Sequence, residues 1–125
     1  MEHTTLSQSE WKVMEPLWEG PKTLMELVRA LALSAGWSKS TVTTMVRRME
    51  EKGLIAYDLQ GRTKVFRATL PRQAAVAAET DSLLERAYHG SVGLMVSSLV
   101  ERSELSRSDI DELYAILKKA EEGRP

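Results

Sequence analysis

No cysteine occurs anywhere in the 125 residues of the chain. That absence excludes disulfides, thiolate nucleophiles, cysteine-based zinc sites and iron–sulfur clusters. Histidine is scarce too: only His3 and His89 occur, far apart in sequence, so no His-rich metal centre and no cofactor is expected. No apolar run approaches the ~20 residues that span a bilayer. The opening Met-Glu-His-Thr-Thr lacks the basic stretch and apolar core of a secretory signal. No membrane partner is therefore expected, and the expected compartment is the cytoplasm. Enzyme signatures are missing as well. No Gly-x-Ser-x-Gly elbow marks a nucleophile, and neither Gly-x-Gly-x-x-Gly nor a Gly-Lys-Ser/Thr ending offers a phosphate cradle. Asp109, Asp111 and Glu112 form a small acidic cluster, which helix capping and a solvated face explain without a bound cation.

The length suits one domain, or a compact unit with an oligomerisation arm. A chain of this size buries roughly two-thirds of its unfolded surface and needs no staple. The formal net charge of −1 conceals an asymmetry. Between positions 39 and 67 seven basic residues (Lys39, Arg47, Arg48, Lys52, Arg62, Lys64 and Arg67) stand against three acids (Glu50, Glu51 and Asp58), a net of +4. The flanking segments 1–38 and 68–125 carry −2 and −3. A basic middle between acidic flanks marks a candidate anion-binding face.

Periodicity organises the chain. Ser7 and Glu10 have the spacing of a capping box, and Trp11, Met14, Leu17 and Trp18 follow at helical intervals. Pro16 removes one helical hydrogen bond, so a bend is expected there. Gly20-Pro21 ends that element, and Thr23 with Glu26 opens a second helix faced by Leu24, Leu27, Val28 and Leu31. Ser38 caps a third, in which Val42, Met45, Val46 and Met49 share one narrow arc. Its opposite face carries Ser40, Thr44, Arg47 and Arg48, with Thr43 at one flank and Glu51 the one acid near its C-terminal end, and Lys52-Gly53 closes it. Two β-prone runs, 54–59 and 64–70, flank a Gly-containing turn at 60–63 and predict a hairpin. From Arg72 onward the pattern is helical again, with a break at Gly90–Gly93 and His89 expected as a packed hinge residue. Segment 94–100 is strongly apolar, and a last helix is capped by Ser106 and Asp109.

The expected fold is mostly α with a small β hairpin. Three helices followed by a hairpin is the order of a winged helix-turn-helix, in which the third helix enters the major groove and the hairpin reaches the neighbouring backbone or minor groove. The expected division is 1–71 as a DNA-binding domain and 72–125 as a helical dimerisation region. Hydroxyls at Ser40, Thr41, Thr43 and Thr44, together with Lys39, suit phosphate oxygens or a thymine methyl. Arg47 or Arg48 can fork onto guanine, and Arg62, Lys64 and Arg67 can neutralise phosphates. Apolar residues on the last helices (Leu83, Leu84, Tyr88, Leu94, Met95, Val96, Leu99, Ile110, Leu113, Tyr114 and Leu117) have little sheet or core to cover them. They predict a subunit interface.

Several stretches carry a resemblance. Glu10-Trp11-Lys12-Val13-Met14 with Leu17-Trp18, Trp37-Ser38-Lys39-Ser40-Thr41-Val42-Thr43-Thr44, and Arg48-Met49-Glu50-Glu51-Lys52-Gly53-Leu54-Ile55 resemble the penicillinase-repressor family, the BlaI/MecI/CopY group. The likeness continues through Tyr88-His89-Gly90 and the 105–113 stretch. It implies a bacterial homodimeric repressor on a palindromic double-stranded operator, with C-terminal helices interlocked between subunits. In antibiotic-responsive members a signalling pathway leads a regulatory protease to cut the dimerisation region at an Asn–Phe bond, which falls at Ser98–Leu99 here. The chain contains no asparagine and has Leu99 in place of the aromatic residue. The paired cysteines of the copper-responsive branch are absent, and Pro16 also departs from the family pattern. Three further readings stay open at this point: cleavage at 98–99, a small-molecule effector held near Tyr88, Met95 and Tyr114, and an adaptor that binds protein and never DNA.

Overall fold

The computed structural model describes residues 5–124, so His3 lies outside the described residues. The chain forms α1 (Gln8–Glu19), β1 (Lys22–Thr23), α2 (Leu24–Ala35), α3 (Lys39–Glu51), β2 (Ile55–Gln60), β3 (Thr63–Ala68), α4 (Arg72–Tyr88), α5 (Val92–Arg102) and α6 (Arg107–Glu122). It divides into two compact units, Met1–Ser82 and Leu83–Pro125. The division falls inside α4 rather than at Pro71, where the composition changes.

In the first unit the capping boxes form as the spacing predicts. Ser7 Oγ accepts from Glu10 N while Glu10 Oε1 accepts from Ser7 N, and Thr23 and Glu26 repeat the exchange. Each box satisfies two backbone donors that the first helical turn leaves without a partner. Helix α1 continues through Pro16 to Glu19, and Lys22 Nζ donates to the carbonyls of Pro16 and Gly20 at 3.2 Å. A lysine ammonium thus takes over carbonyls at the end of α1 that have no helical partner.

The core gathers the periodic apolar residues of all three helices: Val13, Met14 and Leu17 from α1, Leu27 and Leu31 from α2, and Val42, Val46 and Met49 from α3. Leu6 and Leu54, with Ile55 and Phe66 of the sheet and Ala75 of α4, complete it. Trp11 and Trp18 meet edge to face at 5.3 Å between centroids. The indole Nε1 of Trp18 donates to the Leu70 carbonyl at 2.8 Å, which anchors the strand-to-helix corner to α1.

The hairpin is present, and it belongs to a larger sheet. Three antiparallel strands stand in the order β1-β3-β2, with Lys22 opposite Phe66 and Thr23 opposite Val65. The two-residue β1 is too short to give an alternation signal, so sequence periodicity shows only two strands. In β2 and β3, Ile55 pairs with Ala68 and Gln60 with Thr63. That register leaves Gly61-Arg62 as the loop, where Gly61 adopts φ 65°, a conformation that costs glycine little.

A buried carboxylate ties α1 to the end of α3. Glu10 is 6% exposed, and its Oε2 accepts from Lys52 Nζ at 2.7 Å. Burial pushes the Glu10 carboxyl up. The hydrogen bonds from Lys52 and Ser7, with the lysine charge, outweigh that and hold it below its ordinary value of 4.5.

The second unit is built differently. Neither α5 nor α6 contains a buried residue. Ser106 and Asp109 form the expected capping box, and Tyr88 Oη donates to Ser98 Oγ at 3.1 Å. His89 is exposed rather than packed. It adopts φ 50°, the only non-glycine residue with positive φ among those described, followed by Gly90, whose N–H reaches the Leu84 carbonyl at 3.0 Å. The left-handed turn after α4 forces His89 outward, which is why packing does not claim it.

Two expectations follow. A carboxyl held below its ordinary value stabilises the fold above about pH 4.5 and loses that contribution as pH falls through its folded value. Acidification from about pH 7 to about pH 3 therefore destabilises the wild type more steeply than Glu10→Gln in urea midpoints taken at each pH; parallel profiles exclude the role of Glu10. His89→Gly removes a left-handed side chain and raises stability by about 0.5–1 kcal/mol, measured by thermal unfolding at fixed protein concentration. A lower midpoint refutes the strain.

Candidate nucleic-acid interface

Helix α3 turns its apolar arc inward, and this fixes what it shows outward. With Val42, Val46 and Met49 buried, the residues about half a turn away stand on the surface. Lys39, Ser40, Thr41, Thr43, Arg47 and Arg48 are exposed, and Thr44 is half-buried. Ser40, Thr44, Arg47 and the exposed Glu51 form the central stripe. Thr41 and Arg48 lie along one flank, Thr43 and Glu50 along the other.

The hydroxyls are not all equally available. Ser38 Oγ accepts from Thr41 N and lies 3.3 and 3.1 Å from the hydroxyls of Ser40 and Thr41. Thr43 donates its hydroxyl proton to the Lys39 carbonyl at 2.8 Å, so it meets a ligand as an acceptor or through its methyl group. The guanidinium groups of Arg47 and Arg48 have no ion-pair partner among the described residues and keep their forked donors for a ligand.

The strands sort the wing cations by face. Alternation along β3 places Lys64 with the buried Phe66 and places Arg67 on the other side. Lys64 Nζ sits 4.3 Å from the centroid of the Tyr57 ring, and that ring packs edge to face on Phe66 at 5.9 Å. Arg67 Nε instead donates to Asp58 Oδ2 at 3.0 Å, an exposed pair on the outer face of the hairpin. Arg62 occupies the loop and is exposed.

The wing-side flank of α3 and the inner face of β3 meet in a cleft of about 490 Å³. Thr43, Val46, Arg47 and Glu50 line it from α3, Thr63, Lys64 and Phe66 from β3, and Thr23, Leu24 and Met25 from the start of α2. The structure thus brings Thr43, Arg47 and Lys64 together and leaves Arg67 apart. Sequence reading missed Met25 and Glu50 as parts of this surface. The opening turn of α2 gives no periodic clue that it borders α3.

In the second unit Leu94, Val96, Leu99, Tyr114 and Leu117 are exposed, whereas Leu83, Leu84, Tyr88, Met95, Ile110 and Leu113 are half-buried. Val92, Val100 and Ile116 are also exposed and were not among the expected interface residues. A groove of about 410 Å³ lies between α5 and α6, lined by Val96, Leu99, Val100, Leu105, Leu113 and Ile116 with Ser103, Glu104, Asp109 and Glu112. None of Tyr88, Met95 and Tyr114, the residues expected to hold an effector, lines it.

Comparison with known proteins settles the lineage. The family model described as penicillinase repressor matches residues 6–119. The chain belongs to the penicillinase repressor family. The penicillinase repressor of Bacillus licheniformis is 30% identical over 115 residues, covering 91% of this chain and 90% of that protein. The methicillin resistance regulatory protein MecI of Staphylococcus aureus (strain N315) is 27% identical over 117 residues, with 91% and 94% covered. Among solved structures, the DNA-binding domain of the repressor BlaI is 25% identical, with a TM-score of 0.51, and covers 59% of this chain and 93% of that one. The winged-helix fold of the first unit is therefore shared with a repressor domain. The family is one of repressors rather than enzymes, and no group of three His, Asp or Glu residues is placed to hold a metal among the described residues.

Proposed function

We propose that this penicillinase repressor family member is a transcriptional repressor that binds a palindromic operator as a homodimer in the cytoplasm. The observation that carries the reading is the exposure of Arg47 and Arg48 on α3, with Arg47 and the wing's Lys64 lining one cleft. Arg47 and Arg48 are the groups for base edges, since a planar fork matches guanine O6 and N7. Lys39, Ser40, Thr41, Thr43 and Thr44 supply phosphate and methyl contacts, and the wing cations supply phosphate neutralisation. Arg67 contributes least, because Asp58 already holds its Nε. Among the described residues no helix is long and apolar enough to cross a membrane.

The second unit supports the dimer. A helical segment with no buried residue in α5 or α6 cannot offset its chain entropy alone. Its exposed leucines and valines gain about 25 cal/mol for each Å² of apolar surface covered. A second copy covers them symmetrically and pairs the recognition helices on two half-sites. Two routes of release compete. Ser98 and Leu99 lie within α5, so cleavage there requires the helix to unwind into a protease, whereas a small-molecule effector requires no unfolding.

Fluorescence anisotropy with DNA from upstream of the gene, at about 50 and about 200 mM salt, tests the reading. Binding prefers this duplex over a scrambled one and weakens steeply with salt. Arg47→Ala and Arg48→Ala each cost about 1–3 kcal/mol of operator affinity. No binding by a folded dimer at either salt overturns the repressor and favours a protein-binding adaptor. For the interface, Leu99→Asp and Leu117→Asp shift the mass measured by light scattering from dimer to monomer; an unshifted dimer moves the interface off α5 and α6.

A further inference from the structure

We infer that the cleft between α2, α3 and the wing is a binding site for a small aromatic monocarboxylate, and that its occupation excludes DNA. The DNA-excluding half rests on the repressor reading above; the binding half does not.

The cleft has two parts of different chemistry. Its floor is apolar, made by Leu24, Val46 and Phe66, with the exposed Met25 at one edge. An unbranched thioether at the rim adapts to a flat ring and makes favourable sulfur–aromatic contacts. Two exposed cations, Arg47 and Lys64, also line the cleft. The Lys64 ammonium lies 4.3 Å from the Tyr57 ring centroid, a contact that favours this position. A carboxylate in the cleft has among its lining residues the forked donor of Arg47 and the ammonium of Lys64.

Glu50 sharpens the class of ligand. It lines the same cleft, so the charge there is two cations against one anion. That balance favours a monoanion and penalises a phosphate dianion placed beside a carboxylate. The volume of about 490 Å³ falls within the ~300–1,000 Å³ range of small-molecule sites. A ring lying on Leu24 and Phe66 accounts for the floor, which a phosphate alone leaves unused. An effector here works by direct competition: it takes the Arg47 and Lys64 groups assigned to DNA and needs no change transmitted from α5 or α6.

Naphthalene-2-carboxylate is the probe, and the neutral naphthalene-2-carboxamide of the same shape is its control. Each is titrated into the full-length protein without DNA and followed by methyl-resolved NMR. The carboxylate is expected to shift the Met25, Val46 and Leu24 methyls in a saturable way. It should bind at least about tenfold more tightly than the amide, and Lys64→Gln should weaken it at least about threefold. Lys64→Gln sits on an exposed strand position, so the fold survives it, and Arg67→Gln on the opposite face leaves binding unchanged. Shifts confined to α5 and α6, equal binding of acid and amide, or no shift up to millimolar concentration each overturn the site. In the anisotropy assay the same carboxylate displaces the operator at concentrations near its own dissociation constant. Occupation of the cleft without displacement overturns the competition. If the protein binds the carboxylate and no DNA at all, the repressor reading falls while the site stands.

Discussion

The Glu10 carboxylate is the joint on which the first unit depends. It closes the capping box of α1 through Ser7 and receives the Lys52 ammonium from the far end of α3. A carboxylate this deeply placed is costly to desolvate unless its oxygens are paired. Its two oxygens are paired, one by a backbone N–H and the other by a cation. The pairing sets where α3 ends relative to α1, and with Val42, Val46 and Met49 buried it leaves the helix no rotational freedom. The outward direction of Ser40, Thr44, Arg47 and Arg48 follows from that. A helix turned by one residue, about 100°, would bury Thr43 and expose Val42.

A second constraint acts at the other end of the chain. In the first unit three helices and a sheet bury apolar side chains completely. In α5 and α6 the amphipathic pattern is as regular, yet no residue is buried. Val92 at 63% and Leu117 at 65% exposure belong to faces that have no counterpart in their own unit. Isolated surface leucines need no explanation, but a run of them on consecutive helices does. The two units therefore differ in kind: one covers its apolar faces and exposes polar donors, and the other leaves its apolar faces open.

Much of this was legible in the sequence. The capping boxes, the 42–46–49 arc and the hairpin are local and obey periods of 3.6 and 2, so spacing alone exposes them. What escaped is contact between residues distant in sequence or too brief to repeat. The β1 strand has two residues and no period. The Glu10–Lys52 bridge joins positions 42 apart, which no spacing rule encodes. The preference of Arg67 for Asp58 depends on which face of β3 each residue occupies, and the hairpin register decides that. Ile116 and Val100 fit helical spacing with Leu113 and Val96, and the signal was there; the choice of one apolar face per helix left them out. His89 looked like a packed hinge because Gly90 follows it, but the positive φ turns the residue outward instead.

The charge asymmetry of the middle segment also means something different once the contacts are known. A net of +4 over positions 39–67 suggests a diffuse basic field. The structure removes two cations from it: Lys52 is held by Glu10 and Arg67 by Asp58. Lys39, Arg47, Arg48, Arg62 and Lys64 then have no ion-pair partner among the described residues, and all lie on α3 or the wing. Pairing lowers the sum of the segment only from +4 to +3, because Asp58 leaves with Arg67 while Glu10 lies outside the segment. Of the remaining cations, Arg47 and Lys64 line the cleft where α3 meets the inner face of β3. A field focused in that way selects ligands by position as well as by sign. Phosphates spaced along a duplex and a single carboxylate with an apolar ring meet the same cations, but only the second uses the floor of Leu24 and Phe66. Under the two proposals made above, one surface serves both a polymer and a small molecule, and their binding is exclusive.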